Sequence, residues 1–201
     1  MSAFTTIQEP SGPIIIKDRK SKFIGFAYPV TSVAEAKQFV QELHTTFPDA
    51  THVCFAYKIG MNQPEIRMND DGEPAYSAGA PILGQLEAFG LLNVLVCVVR
   101  YYGGTKLGVG GLIQAYRETA KQSLENATLI SVTAKVHFRL EFGYQNLDAV
   151  MRVISQNRLQ IITQEMTLSC NITVEANQAE SEIIPKLFSA IPELKLLHLP
   201  Q

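Results

Sequence analysis

The sequence predicts an α+β protein of two domains, residues 1–130 and 131–201. Three observations predict this class. Apolar residues recur at both the helical and the strand period, in segments that alternate along the chain. From about residue 131 the segments run β-α-β-β-α-β, the ferredoxin-like order. The chain has 201 residues, 46% apolar and 18% charged, which is enough to bury a core in each part.

The elements follow in order. Pro13 to Val30 reads as two extended segments, Ile14-Ile15-Ile16 leading in and Phe23 to Tyr28 leading out, around a basic turn. Ser32 is an N-cap with Glu35 three residues on, a capping-box spacing. Val33, Ala36, Phe39, Val40 and Leu43 then recur at helical spacing, and that helix ends before Pro48. Thr51 to Ile59 and Glu65 to Met68 read as strands of a hairpin. Asp70 to Pro81 is a long polar loop. A helix starts at Pro81 and stops at Gly90. Val94 to Arg100 is apolar on both faces as far as Val99, which marks a central strand. A glycine-rich loop follows, and then a helix with Leu112, Tyr116, Ala120 and Leu124 on one face.

In the second domain, Lys135 to Phe142 alternates strictly, with Val136, Phe138, Leu140 and Phe142 turned inward. A helix over 145–157, strands over 160–164 and 167–175, a helix over 179–190 and a strand over 195–199 complete the order. The outward positions of its sheet, Lys135, His137, Arg139, Glu141, Thr167, Ser169, Asn171, Thr173 and Glu175, include no aromatic ring. This argues against base stacking on that sheet.

Composition excludes several classes. The net charge of −2 gives no global basic field, so nucleic-acid binding would need a local patch. Cys54, Cys97 and Cys170 are far apart, odd in number and set in apolar runs; they read as buried thiols in a reducing compartment. MSAFTTIQEP has neither a basic n-region nor an apolar h-region, so no signal peptide is expected. Leu91 to Val99 is too short to span a bilayer. A cytoplasmic location and no membrane contact are expected. No histidine pair has a ligand spacing, and no cofactor or metal is expected.

The chemistry concentrates in RYYGGTKLGVGG, Arg100 to Gly111, which holds five of the 13 glycines. Glycines between a strand and a helix start let free backbone N–H groups converge where the helix dipole is positive. Gly103, Gly104, Gly108, Gly110 and Gly111, with Arg100 and Lys106, therefore form a candidate phosphate-binding loop. The spacing is neither GK[ST] nor GxGxxG, and a tight connection needing glycine only for its turn angles explains it equally. The basic turn KDRKSK (Lys17, Arg19, Lys20 and Lys22) could join Arg100 and Lys106 in one patch, or stand as a solvated tip. Asp70, Asp71 and Glu73 read as loop-shaping residues, with Mg²⁺ binding as the rarer alternative. His52 opens its strand and either faces a site or caps the strand.

DDGEP, AGAPIL and NVLVCVVRYYGGTKLGVGGL with its following AYRETA resemble the YigZ/IMPACT family, with RYYGG-xx-LG the specific core. KSKFIGFA and HVCFAY are similar to the same family, at the expected places. The second domain resembles the small C-terminal domain of bacterial two-domain members. Tyr76 and Ala80 depart from the family's usual pattern. The resemblance implies a first domain with a β-α fold shared with a small-subunit ribosomal protein and the fourth domain of elongation factor G. It implies a second domain similar to the fifth domain of that factor. Eukaryotic relatives act in translational control through a protein partner. The expectation is a non-enzymatic binder of RNA or the ribosome linked to regulation of translation, in which Lys20, Lys22, Lys106 and the fork of Arg100 contact phosphates. An enzyme acting on a phosphorylated small molecule and a protein-protein module are the alternatives. Oligomeric state is not legible.

Overall fold

The structure is a computed structural model that describes residues 3–61 and 63–199. The chain divides into two compact units, Phe4–Val132 and the residues from Thr133 onward.

The first unit is built on five antiparallel strands: β2 (Ser11–Asp18), β3 (Ser21–Pro29), β4 (His52–Ile59), β5 (Glu65–Asn69) and β6 (Val94–Tyr101), in the order β2-β3-β6-β4-β5. The unbroken apolar run 94–99 takes the centre, where both faces are covered. Strand alternation divides its side chains. Val94, Val96 and Val98 join the core beneath α2 (Gly79–Ala88) and α3 (Gly108–Glu125), while Leu95, Cys97 and Val99 pack on α1 (Val33–Thr46). The result is helix, sheet and helices in three layers. Ser32 caps α1 through the Glu35 amide, 3.2 Å, and Glu35 returns a bond to the Thr31 amide, 2.7 Å. A short additional sheet pairs β1 (Ala3–Ile7) with β7 (Leu129–Thr133). Neither strand is expected from the sequence, because their pairing joins distant segments and AFTTI does not alternate cleanly.

The second unit has β8 (Lys135–Phe142), α4 (Leu147–Gln156), β9 (Gln160–Met166), β10 (Cys170–Asn177), α5 (Ile184–Phe188) and β11 (Lys195–Leu199). Its sheet order is β11-β8-β10-β9 with antiparallel neighbours, the ferredoxin-like arrangement. The helix expected over 179–190 is instead a 3₁₀ turn, Gln178–Glu180, followed by the five-residue α5. Pro185 sits in the first turn of α5, where its missing N–H costs nothing, but it cannot continue a helix begun upstream.

Candidate functional site

The site lies in the first unit, where strand register and one helix start meet. Phe23 of β3, Arg100 of β6 and His52 of β4 are direct cross-strand partners. By alternation Arg100 shares the face of Val98, beneath α3, so its guanidinium enters the core side of the sheet. Arg100 is 5% exposed and Glu73 8% exposed. Arg100 Nη1 donates to Glu73 Oε1 at 2.5 Å, and the Tyr116 hydroxyl of α3 donates to the same oxygen at 2.8 Å. Arg100 Nη2 reaches Ser21 Oγ at 3.5 Å. The guanidinium carbon lies 5.4 Å from the Phe23 ring centre and 5.5 Å from that of Tyr102. The Cys54 thiol lies 3.3 Å from the Tyr116 oxygen and 3.1 Å from the Asp70 carbonyl.

This corrects the expectation for two residues. Arg100 is not a surface fork for phosphate: one arm is taken by a buried carboxylate and two rings flank it. Glu73 is not a solvated loop acid but the counter-charge that makes burial of Arg100 tolerable. Asp70 and Asp71 hold the loop by backbone amides. Asp70 accepts from Tyr76, Ala78 and Gly79 at 2.8–2.9 Å and so caps α2 from outside the helix, and Asp71 accepts from the Val53 amide at 2.6 Å. Among the described residues no three of His, Cys, Asp and Glu are grouped to hold a metal ion. His52 donates from Nδ1 to the Asp71 carbonyl at 2.6 Å, a carbonyl being able only to accept. Its Nε2 is thereby the second ring nitrogen, 3.9 Å from Glu73 Oε1.

The basic turn and the glycine loop come together. Asp18 pairs with Ser21, and the two residues between them, Arg19 (φ 43°) and Lys20 (φ 69°), form a two-residue hairpin turn. Gly103 packs on this turn so closely that a Cβ would overlap the Lys20 carbonyl carbon. The Gly103 amide donates to Ser21 Oγ at 3.2 Å, and Arg19 Nη1 reaches the Leu107 carbonyl at 3.5 Å. Lys20 and Lys106 are exposed, and neither has an acidic partner among the described residues. The Lys22 ammonium stands 5.1 Å over the Tyr101 ring. Gly104 and Gly108 take positive φ, 82° and 73°; Gly108 turns the chain into α3, with Gly110 and Gly111 in its first turn. Among the described residues no side chain caps this helix start.

Between the helix start and the strands is an open recess of about 490 Å³. Thr51, His52, Glu73, Pro74, Arg100, Tyr102, Lys106 and the first turn of α3 line it. Sequence reasoning missed Tyr102, Thr51, Ser21, Cys54 and Tyr116. Tyr102 carried a signal, an aromatic next to a glycine pair; Tyr116 read as core because its helical face is otherwise apolar.

Residues 19–124, which contain all of this machinery, match the family model of the Impact N-terminal domain. The chain belongs to the IMPACT family. It is 34% identical over 160 residues to the IMPACT family member YigZ of Escherichia coli K12, covering 78% of each chain. It is 33% identical over 181 residues to the family member YvyE of Bacillus subtilis 168, covering 90% of this chain and 82% of that one. Protein IMPACT of Homo sapiens is 35% identical over 100 residues, 47% of this chain and 31% of that protein. A crystal structure of a hypothetical protein superposes with a TM-score of 0.75 at 31% identity, across 100% of this chain and 99% of the other. The IMPACT family likeness to YigZ and YvyE thus extends beyond the 19–124 domain match.

Proposed function

We propose that this IMPACT family protein is a non-enzymatic, cytoplasmic factor linked to regulation of translation, which grips RNA or the ribosome through phosphate contacts of its first domain, residues 1–130. One observation carries the reading. The hairpin tip and the glycine loop, far apart in sequence, are locked into one edge by Gly103 and Ser21. That edge presents Lys20 and Lys106 beside an uncapped helix start. Point charges and free amides of this kind hold phosphate oxygens without reading sequence. The translational control in which eukaryotic relatives act, as the resemblance implies, supports the setting. An expected likeness of the two domains to domains four and five of elongation factor G agrees with it. Among the described residues no helix is long and apolar enough to cross a membrane.

The test is co-sedimentation of the purified protein with ribosomes across a salt series, beside Lys20→Ala/Lys106→Ala. Binding should weaken steeply with salt, and the double variant should lose affinity and flatten the salt slope by about 1.5 to 2. Equal binding by parent and variant would remove this edge from the contact. Binding that survives nuclease treatment of the ribosomes would assign the partner to protein.

A further inference from the structure

The recess beside the basic edge has features that phosphate contact alone does not use. Tyr102 is 45% exposed and borders the recess. Its amide donates to Thr51 Oγ1 at 3.0 Å, and the Arg100 guanidinium carbon stands over its ring, 5.5 Å from the centre. A part-exposed aromatic ring at the border of a recess offers a stacking surface for a base. Val109, 52% exposed in the first turn of α3, and Pro74 and Leu112 supply apolar wall. The Arg100 side chain, 6% exposed, lines the same recess, and its Nε–H has no partner among the described residues. A buried donor without an acceptor is rare in a completed structure and points to a ligand or water that completes it.

Charge decides what fits. Glu73 neutralises Arg100 on the floor, so the depth of the recess offers no net attraction to an anion. The uncompensated positive charge sits at the mouth, at Lys106 and the Gly108 end of α3. A ligand that matches has a flat, uncharged body and an anion at one end. A volume of about 490 Å³ lies within the range of small-ligand pockets, roughly 300–1,000 Å³, and admits one nucleotide but not a duplex.

We propose that this recess holds one unpaired nucleotide of single-stranded RNA, its base stacked on Tyr102 and its phosphate at Lys106 and the first-turn amides of α3. The proposal rests on the phosphate-contact reading above and narrows it. Helical RNA offers phosphates but no free base face, so the recess selects single strands. Thr51 and His52, both in the lining, are the uncharged polar side chains placed to meet a base edge or a ribose hydroxyl.

The experiment is fluorescence anisotropy with a labelled RNA of about ten nucleotides, free of self-complementarity, and the same strand annealed to its complement. The proteins are the parent, Tyr102→Ala, Tyr102→Phe, Lys106→Ala and Val109→Glu. The parent should bind the single strand more tightly than the duplex. Tyr102→Ala should weaken single-strand binding on the order of ten-fold with the salt slope unchanged, and Tyr102→Phe should restore it. Lys106→Ala should lower the slope by about 0.7. Val109→Glu adds a carboxylate at an exposed helix start, where it helps the helix but opposes phosphate. It should fold as the parent does and lose binding, which keeps the proposal open to test if Tyr102→Ala folds poorly. Parent-like binding by Tyr102→Ala or Val109→Glu, with binding still dependent on Lys106, overturns the nucleotide pocket and leaves the phosphate contact standing. Failure of every protein to bind RNA overturns both. Uridine monophosphate displacing the strand at micromolar concentration would reassign the recess to a free nucleotide and also overturn the proposal.

Discussion

Arg100 and Glu73 illustrate how a charged pair inside a core fixes geometry. Removing one member leaves the other buried without its partner, a cost of about 3–5 kcal/mol. Arg100→Ala is therefore expected to lower the urea midpoint strongly. Tyr116→Phe, which deletes a single donor to the same carboxylate, should cost about 1–3 kcal/mol. If Arg100→Ala unfolds at the parental midpoint, the pair is not the structural device described. The same reasoning explains why Lys20 and Lys106, not Arg100, are the residues to change when binding is tested. An Arg100 variant would lose the fold of the loop before it lost a phosphate contact.

At the scale of elements, the hairpin turn between β2 and β3 is the informative piece. Two-residue turns with positive φ at both positions favour Asn-Gly, yet this one carries Arg19 and Lys20. A local preference is set aside where the two cations stand beside the glycine loop, consistent with selection for charge at that tip. Arg19→Asn/Lys20→Gly should raise stability, by up to about 1 kcal/mol in thermal unfolding, while weakening ribosome binding. Gly103→Ala should act in the opposite direction. Its Cβ meets backbone, which cannot rotate away, so the turn and loop must separate at a cost of about 1–3 kcal/mol. Loss of binding with a retained melting temperature in Gly103→Ala would show that the two segments do not depend on one another for stability.

Across the whole molecule, burial of ionisable groups sets an alkaline limit. Burial pushes the Cys54 and Cys97 thiols well above the usual thiol range, and it raises the Tyr116 phenol likewise. Burial also raises Tyr28, to about 12. Groups whose folded pKa is raised contribute stability that is complete below the unfolded pKa and is lost as pH rises above it. Unfolded thiols ionise near about 8.5. The melting temperature should hold level to about pH 8 and fall from there, and Cys97→Ala should reduce the fall. A melting temperature level to pH 10.5 would contradict the buried, neutral thiols. At the acid side Glu175 works in reverse. Desolvation raises its pKa, but the hydrogen bonds and charges of Lys135 and His137 outweigh that and hold it low. Its contribution is present above the ordinary glutamate range and is lost as pH falls through the lowered value.

By itself the sequence determined what depends on local pattern. The apolar run at 94–99 implied a central strand. The Ser32–Glu35 spacing implied a helix start, and the alternation from Lys135 to Phe142 implied a half-buried strand. The glycines after Arg100 marked a loop between a strand and a helix start, without deciding between turn geometry and a close approach. Each is a statement about periods of two or 3.6 and about allowed φ, which neighbouring residues settle among themselves. Only the tertiary structure decided the pairing of β1 with β7, the meeting of the Lys20 turn with Gly103, and the burial of Arg100 against Glu73 and Tyr116. It also decided that Tyr102 borders a recess. These are contacts between segments separated by tens of residues or more, set by strand order and register, and no window of sequence contains them. Arg100 shows the limit most plainly. Its neighbours in sequence place it at a strand end beside glycines, where a cation would reach solvent. The register of three strands and the helix above them instead place it inside the core with a carboxylate.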